Sequence, residues 1–342
     1  MRATRVTSAL AVPVLAASLT LPAAATEGAA ETVPGGPWVC GEQPIRLSGL
    51  HSNGELSAAL DRLAARHPDV VDVTEIGRSV EGRPLESVTV GHGERTLLVL
   101  TQVHGDEPLG TEAALALLDR ATAPTPAGDA LRDGVTLVVV PRINPDGWER
   151  YQDPDFAEGL DPRRNSNDID LNRTFGPSEI DLALAPEAAA VQGLVEDVDP
   201  NLILDYHHQV SYANDDGLVT MSVLWGTHPD VAPEVADDGR RATAVIGDAL
   251  AGSGHANVSL YPRSDTATTA RNGLSLDGYP TVLVEQRGQQ DAGQKSHGAL
   301  VREALASMTG VAAALADGSF DDVDPAAADL LPERGDRVRE TC

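Results

Sequence analysis

Residues 97–110 read LLVLTQVHGDEPLG, a mainly apolar run that gives way at His104 to a polar turn and then, from Gly110, to helical spacing. A short Val- and Leu-rich run closed by a turn is the pattern of a strand buried on both faces. Runs of the same kind recur at 135–143, 202–205, 218–224 and 282–285. Helical patterns fall between them and before them, at 56–66, 110–120, 186–197, 235–251 and 298–316, the third with Pro186 at its start. Strands alternating with helices predict an α/β fold of three layers, α/β/α, with a mixed, mainly parallel central sheet covered by helices on both faces.

The chemistry-bearing residues sit where these strands end. His104 and Glu107 lie three apart across the turn that follows the run at 97–103. In open α/β sheets functional side chains gather at the carboxyl ends of strands, and an imidazole and a carboxylate at this spacing can face one zinc ion. The pair differs from the helical motifs His-Glu-x-x-His and His-x-x-Glu-His, because Pro108 follows Glu107. A catalytic zinc takes three protein ligands and keeps one open position. The run LILDYHHQ at 202–209 offers His207 or His208 as the third, and strand alternation lets only one of them face the metal. The run ending in Glu285 delivers a carboxylate out of apolar surroundings, which is costly unless that group is paired or functional. Between these lies RRNSNDIDLNR at 163–173, rich in guanidinium and amide groups that suit a carboxylate-bearing substrate or, equally, a surface ion-pair network.

Taken in order, His-x-x-Glu, Asn-Pro-Asp-Gly, Asp-x-Asn-Arg, a strand ending in His and a strand ending in Glu resemble the zinc metallocarboxypeptidases of the carboxypeptidase A type, over about residues 51–316. The resemblance implies one zinc per chain held by His104, Glu107 and His207, the last chosen because Asp205 precedes it by two, with His208 a bystander. It implies Asp170 behind the first ligand. It casts Asn172 and Arg173 as the grip on the substrate's terminal carboxylate, Arg163 with Arg164 as second choice for the scissile carbonyl, and Glu285 as general base. The family's tyrosine, about twenty residues before that Glu, has no counterpart: Tyr261 and Tyr279 flank the stretch without matching it, and Arg271 is expected to face the specificity pocket, which suits an acidic or unusual substrate end.

Residues 1–25, with Arg2 and Arg5, an apolar stretch and Ala23–Ala25, read as a signal peptide, so a secreted protein is expected. Residues 26–44 read as an extended lead-in, 45–318 as the catalytic domain, and 319–342 as an acidic surface tail tied back by a Cys40–Cys342 disulfide. No later segment is expected to span a membrane. A net charge of −27, from 52 acidic against 25 basic residues, argues against nucleic acid and anionic membranes as partners. The resemblance implies a peptide or N-acyl amino acid as substrate, and a monomer is expected. Two rival readings are an amidase or deacylase on the same scaffold, acting on N-acyl amino acids or cell-wall peptides, and a non-catalytic secreted binding module.

Overall fold

The computed structural model describes residues 49–152, 160–253, 256–288 and 297–338. The expected signal peptide, lead-in and Cys40–Cys342 pairing lie outside those residues. The strands, in chain order, are β1 (Val71–Arg78), β2 (Pro84–Val90), β3 (Arg95–Thr101), β4 (Val135–Val140), β5 (Leu202–Gln209), β6 (Tyr212–Asn214), β7 (Gly217–Leu218), β8 (Met221–Trp225), β9 (Val258–Leu260), β10 (Thr281–Arg287) and β11 (Asp336–Arg337). Eight of them form one sheet in the order β1-β2-β4-β3-β5-β10-β8-β9. β4, β3, β5 and β10 run parallel through its middle, while β1, β2 and β8 pair antiparallel with their inner neighbours. The expected mixed, mainly parallel sheet is what forms.

Helices α1 (Asn53–Arg66), α2 (Leu109–Thr122), α3 (Pro126–Gly134), α4 (Pro145–Gln152), α5 (Pro186–Val198), α6 (Pro233–Ala251), α7 (Ala270–Leu276) and α8 (His297–Asp317) complete the layers. The sequence explains their limits. Ser52 caps α1 and exchanges hydrogen bonds with Glu55 in a capping box, and Leu56, Leu60 and Leu63 then repeat at helical spacing on the buried face. One face of the sheet packs Leu202, Leu204, Tyr206, Val282 and Val284 against α1, α2, α3, α6 and α8, and the other packs Leu98, Leu100 and Ile203 against α5 and α7. Each such buried leucine stabilises the fold by about 1.5–3 kcal/mol.

Two expectations change. The segment Gly298–Asp317 is in fact long and apolar enough to cross a membrane, but Leu300, Ala304, Met308, Val311 and Leu315 are buried against the sheet and its neighbouring helices, so it is a core helix. Residues 319–338, expected as part of an acidic surface tail, pack in part against the domain: Phe320 and Ala328 are buried in 3-10 turns, and β11 pairs with β6 in a second, three-stranded sheet.

β3 connects onward to β4 on one side, while β5 lies on its other side. This is the switch point at which open α/β sheets form a crevice beyond their strand ends.

Candidate metal centre and substrate cavity

β3 ends at Thr101, and the chain turns through Gln102, which holds the left-handed backbone conformation with φ +54°. Such a conformation is unfavourable for a residue with a side chain, and here buried hydrogen bonds hold it: Gln102 Nε2 donates to Gly105 O at 2.8 Å, and its Oε1 accepts from Thr111 Oγ1 and Arg142 Nε. The loop then passes so close to the Asn-Pro-Asp-Gly turn that a Cβ on Gly105 would lie 2.3 Å from the Gly147 carbonyl carbon. Only glycine permits that approach. His104 and Glu107 are thereby fixed beyond the strand end.

The third residue arrives from β5. Asp205 and His207 share the face of Ile203, whereas Tyr206 and His208 point to the opposite one. His208 accepts from the Leu109 N–H at 3.1 Å and also borders the cavity over the cluster. β10 adds Glu285, paired in register with His207.

The resulting cluster is buried and convergent. His104 Nδ1 and His207 Nδ1 lie 3.0 Å apart, at 3.0 and 2.9 Å from the two carboxylate oxygens of Glu107. The ligand atoms of the three residues all lie within 4.8 Å of one another. Each imidazole turns its other nitrogen to a carboxylate: His104 Nε2 meets Asp170 at 3.2 Å, and His207 Nε2 meets Asp205 at 2.9 Å. Two imidazoles and one carboxylate facing a point, with the imidazoles oriented from behind, is the donor set and support that zinc takes, so the residues present fit the ion.

Electrostatics agree with this arrangement. Burial works to raise the Glu107 pKa, but the flanking His104 and His207 hold it well below the usual range. Burial works to lower that of His207, yet Asp205 and Glu107 drive it well up. Glu285 behaves differently: desolvation lifts it to about 7, with Glu107 reinforcing the rise and His207 opposing it. Its Oε2 is buried with no hydrogen-bond partner among the described residues.

A cavity of about 620 Å³ opens over these groups. Arg163 lines it and donates to Glu107 Oε1 at 3.0 Å, with Asp170 at 3.7 Å. Asn172 and Arg173 line it as well. The Asn172 Oδ1 is held by the Ala270 N–H at 2.8 Å. Arg271 lines it from α7. Arg164 does not: its guanidinium donates to Asp168 O and lies near Asp161 and Asp168, so it belongs to the surface ion-pair network and the second-choice role falls away. Directly after them Asn165, buried and bonded to Leu184 O, Glu187 and the Asn167 and Ile169 N–H groups, anchors the loop.

Residues 56–201 match the zinc carboxypeptidase family. The match spans His104, Glu107, Arg163, Asp170, Asn172 and Arg173 and stops short of His207 and Glu285, which rest on the geometry. Among curated relatives, carboxypeptidase E of Caenorhabditis elegans is 32% identical over 138 residues, covering 36% of this chain and 29% of that protein. Carboxypeptidase D of Homo sapiens is 30% identical over 169 residues, 46% of this chain and 12% of that protein. The chain thus spans less than a third of the length of these relatives. Of solved structures, a metallo-carboxypeptidase from Burkholderia cenocepacia superposes with TM-score 0.61 at 20% identity, over 80% of this chain and 70% of that one. Carboxypeptidase A from Helicoverpa armigera gives TM-score 0.57 at 19%, over 79% and 74%. These likenesses establish the shared fold.

The cavity also contains residues that the sequence motifs do not mark. Tyr261, which flanks the stretch without matching the family's tyrosine, lines the cavity from the end of β9, and Tyr212 and Arg334 stand beside it. Asp106 lines it too, with burial raising its pKa to about 6. Tyr261 could have been found by its place directly after an apolar strand. Arg334 carries no such signal.

Proposed function

We propose that the protein is a secreted zinc-dependent metallocarboxypeptidase that hydrolyses the C-terminal peptide bond of its substrate. The observation that carries this reading is the convergence of His104, Glu107 and His207 with Glu285, whose Oε2 is buried without a hydrogen-bond partner among the described residues, in one cavity also lined by Asn172 and Arg173. The chemistry a zinc ion supplies in such a site is Lewis acidity, which lowers the pKa of water from 15.7 to about 7. Asp170 and Asp205 hold the two imidazoles in the orientation that binding needs. The Asn172 amide, fixed by Ala270, and the Arg173 guanidinium grip the terminal carboxylate of the substrate. Arg163 meets the oxygen of the scissile carbonyl as negative charge develops on it. Glu285 takes the proton of the attacking water and returns it to the leaving amine, and its pKa near 7 suits both transfers.

The test is release of free amino acids from a library of N-blocked dipeptides by the full chain, with and without chelator, alongside metal analysis. One zinc per chain, chelator-sensitive release and a fall in kcat of about 10²–10⁴-fold in Glu285→Gln are expected. Cleavage confined to N-acyl amino acids or muropeptides would replace this reading with the amidase. A metal-free, inert protein would leave only a binding module.

A further inference from the structure

The cavity is built for more positive charge than its chemistry uses. Arg163, Arg173, Arg271, Arg334 and Arg337 line it, five of the chain's 25 basic residues, in a protein of net charge −27. Its acidic lining groups include Asp106, Glu107 and Glu285, which act chiefly on one another, on the two imidazoles and on Arg163.

Arg271 feels Glu285 and Asp205 only through space and forms no ion pair with either. It is 3% exposed, and its Nε and Nη1 are buried with no hydrogen-bond partner and no ion pair among the described residues. Burial lowers its pKa only to about 10, so it is charged at neutral pH. A buried guanidinium with unmet donors is unfavourable in the free protein and is kept where a ligand supplies the missing acceptor.

A second guanidinium reinforces it. Arg334 arrives from the segment leading into β11, stacks 3.5 Å from the Tyr212 ring centre and 4.6 Å from that of Tyr261, and donates from Nη1 to Gln209 Oε1 at 3.2 Å. Its Nε has no partner among the described residues. Arg271 lies 5.9 Å from the centre of the same Tyr261 ring. Two like charges gathered about one ring repel each other, and an anion drawn between them relieves that repulsion. The position of the anion follows from the chain: Ala270, whose N–H holds Asn172 in the terminal-carboxylate grip, is the residue immediately before Arg271.

We propose that this site selects substrates whose C-terminal residue carries an acidic side chain, Glu or Asp, with that carboxylate bound by Arg271 and with Arg334 supplying a second positive charge. A basic terminal side chain is repelled by both guanidinium groups. An apolar one leaves the Arg271 donors desolvated and unmet. The planar fork of arginine suits a carboxylate.

The proposal rests on the carboxypeptidase reading, and the test separates the two. N-blocked dipeptides that share a penultimate residue and end in Glu, Gln, Phe or Lys are compared by kcat/KM on the zinc-loaded full chain, and their binding to the Glu285→Gln protein is measured by calorimetry. A charge-assisted contact of about 1.5–3 kcal/mol gives the Glu end a preference over Gln of roughly 10- to 150-fold. In Arg271→Gln that preference is expected to collapse to within about threefold, while Arg271→Lys, which keeps the charge, retains part of it. Arg334→Gln should lower it by a smaller factor. Equal or better use of Gln, Phe or Lys ends by the unmodified protein overturns the proposal, as does a Glu preference that survives Arg271→Gln. If no dipeptide is cut, the carboxypeptidase reading fails, and calorimetry still decides: Glu-selective binding lost in Arg271→Gln supports the acidic pocket, and binding indifferent to the terminal side chain overturns it.

Discussion

Arg142 and Arg271 are each 3% exposed, yet they spend their burial in opposite ways. Arg142 has every arm engaged: Nε donates to Gln102 Oε1 at 2.7 Å, Nη1 to Asn53 Oδ1 at 2.9 Å and Nη2 to His51 O at 2.8 Å, and the guanidinium sits over the Trp148 ring at 4.9 Å. Arg271 has two nitrogens with nothing to bond. The first ties α1, the turn after β3 and α4 to one another beneath the metal cluster. The second costs stability in the free protein and faces a cavity. Equal burial therefore says little about role; what separates a structural charge from a binding charge is whether its donors are met.

This contrast breaks or sharpens under substitution. The largest effect is expected from Arg142→Met, which strips a donor from three acceptors and loses the stack on Trp148; unfolding in urea should show a loss of about 3 kcal/mol. A stability within error of the unmodified protein would put the two arginines in one class. Next comes the same contrast among carboxylates. Asp146 is fully engaged by Ser79, Arg83, Ser166 and the Glu81 N–H, whereas Asp205 holds His207 through one oxygen and leaves the other without a partner among the described residues. Asp205→Ala should weaken zinc binding by about 10–100-fold in a competition titration while leaving the apo protein folded. Unchanged zinc affinity would remove Asp205 from the support of the metal site. The smallest effect is Arg271→Met, where an unmet charge gives way to an apolar side chain of similar length. Thermal and urea unfolding should register no loss, and a gain of about 1 kcal/mol is expected. A loss comparable to that of Arg142→Met would mean that Arg271 is structural.

Much of this was readable from the chain. His104, Glu107, His207 and Glu285 announce themselves because each directly follows or ends an apolar strand, and a parallel sheet brings such ends together. Alternation along β5 allowed only one of His207 and His208 to face the metal, and the resemblance, through Asp205 two residues before, chose His207. Arg163 and Arg164 were not separable, since the choice rests on partners distant in sequence or in the loop itself: Glu107 and Asp170 for Arg163, Asp161 and Asp168 for Arg164. The strands β1 and β2 escaped notice because β1 is an edge strand, mostly exposed, whose residues lack a sustained apolar run. Gly298–Asp317 shows the reverse case: its composition admits a membrane, and only its packing on the sheet identifies it as core. Arg334 lay furthest from view, in a stretch of charge and proline whose place is set by pairing with a strand more than a hundred residues earlier.

That pairing has a kinetic side. β11 is two residues long, both exposed, and is held to β6 and by the Val338 N–H bond to Ser211 O. Short, solvated ladders open at little free energy, well before the sheet that carries the metal ligands. One side of the cavity therefore adjoins a short, solvated ladder, while Arg334 just before it is held by Gln209, by the Tyr212 and Tyr261 rings and by the Leu260 N–H bond to Pro332 O. Amide exchange at Arg337 and Val338 should be fast in the free protein and slow once an anionic ligand bridges the two guanidinium groups, giving the site an entrance whose closing is driven by the charge of what enters.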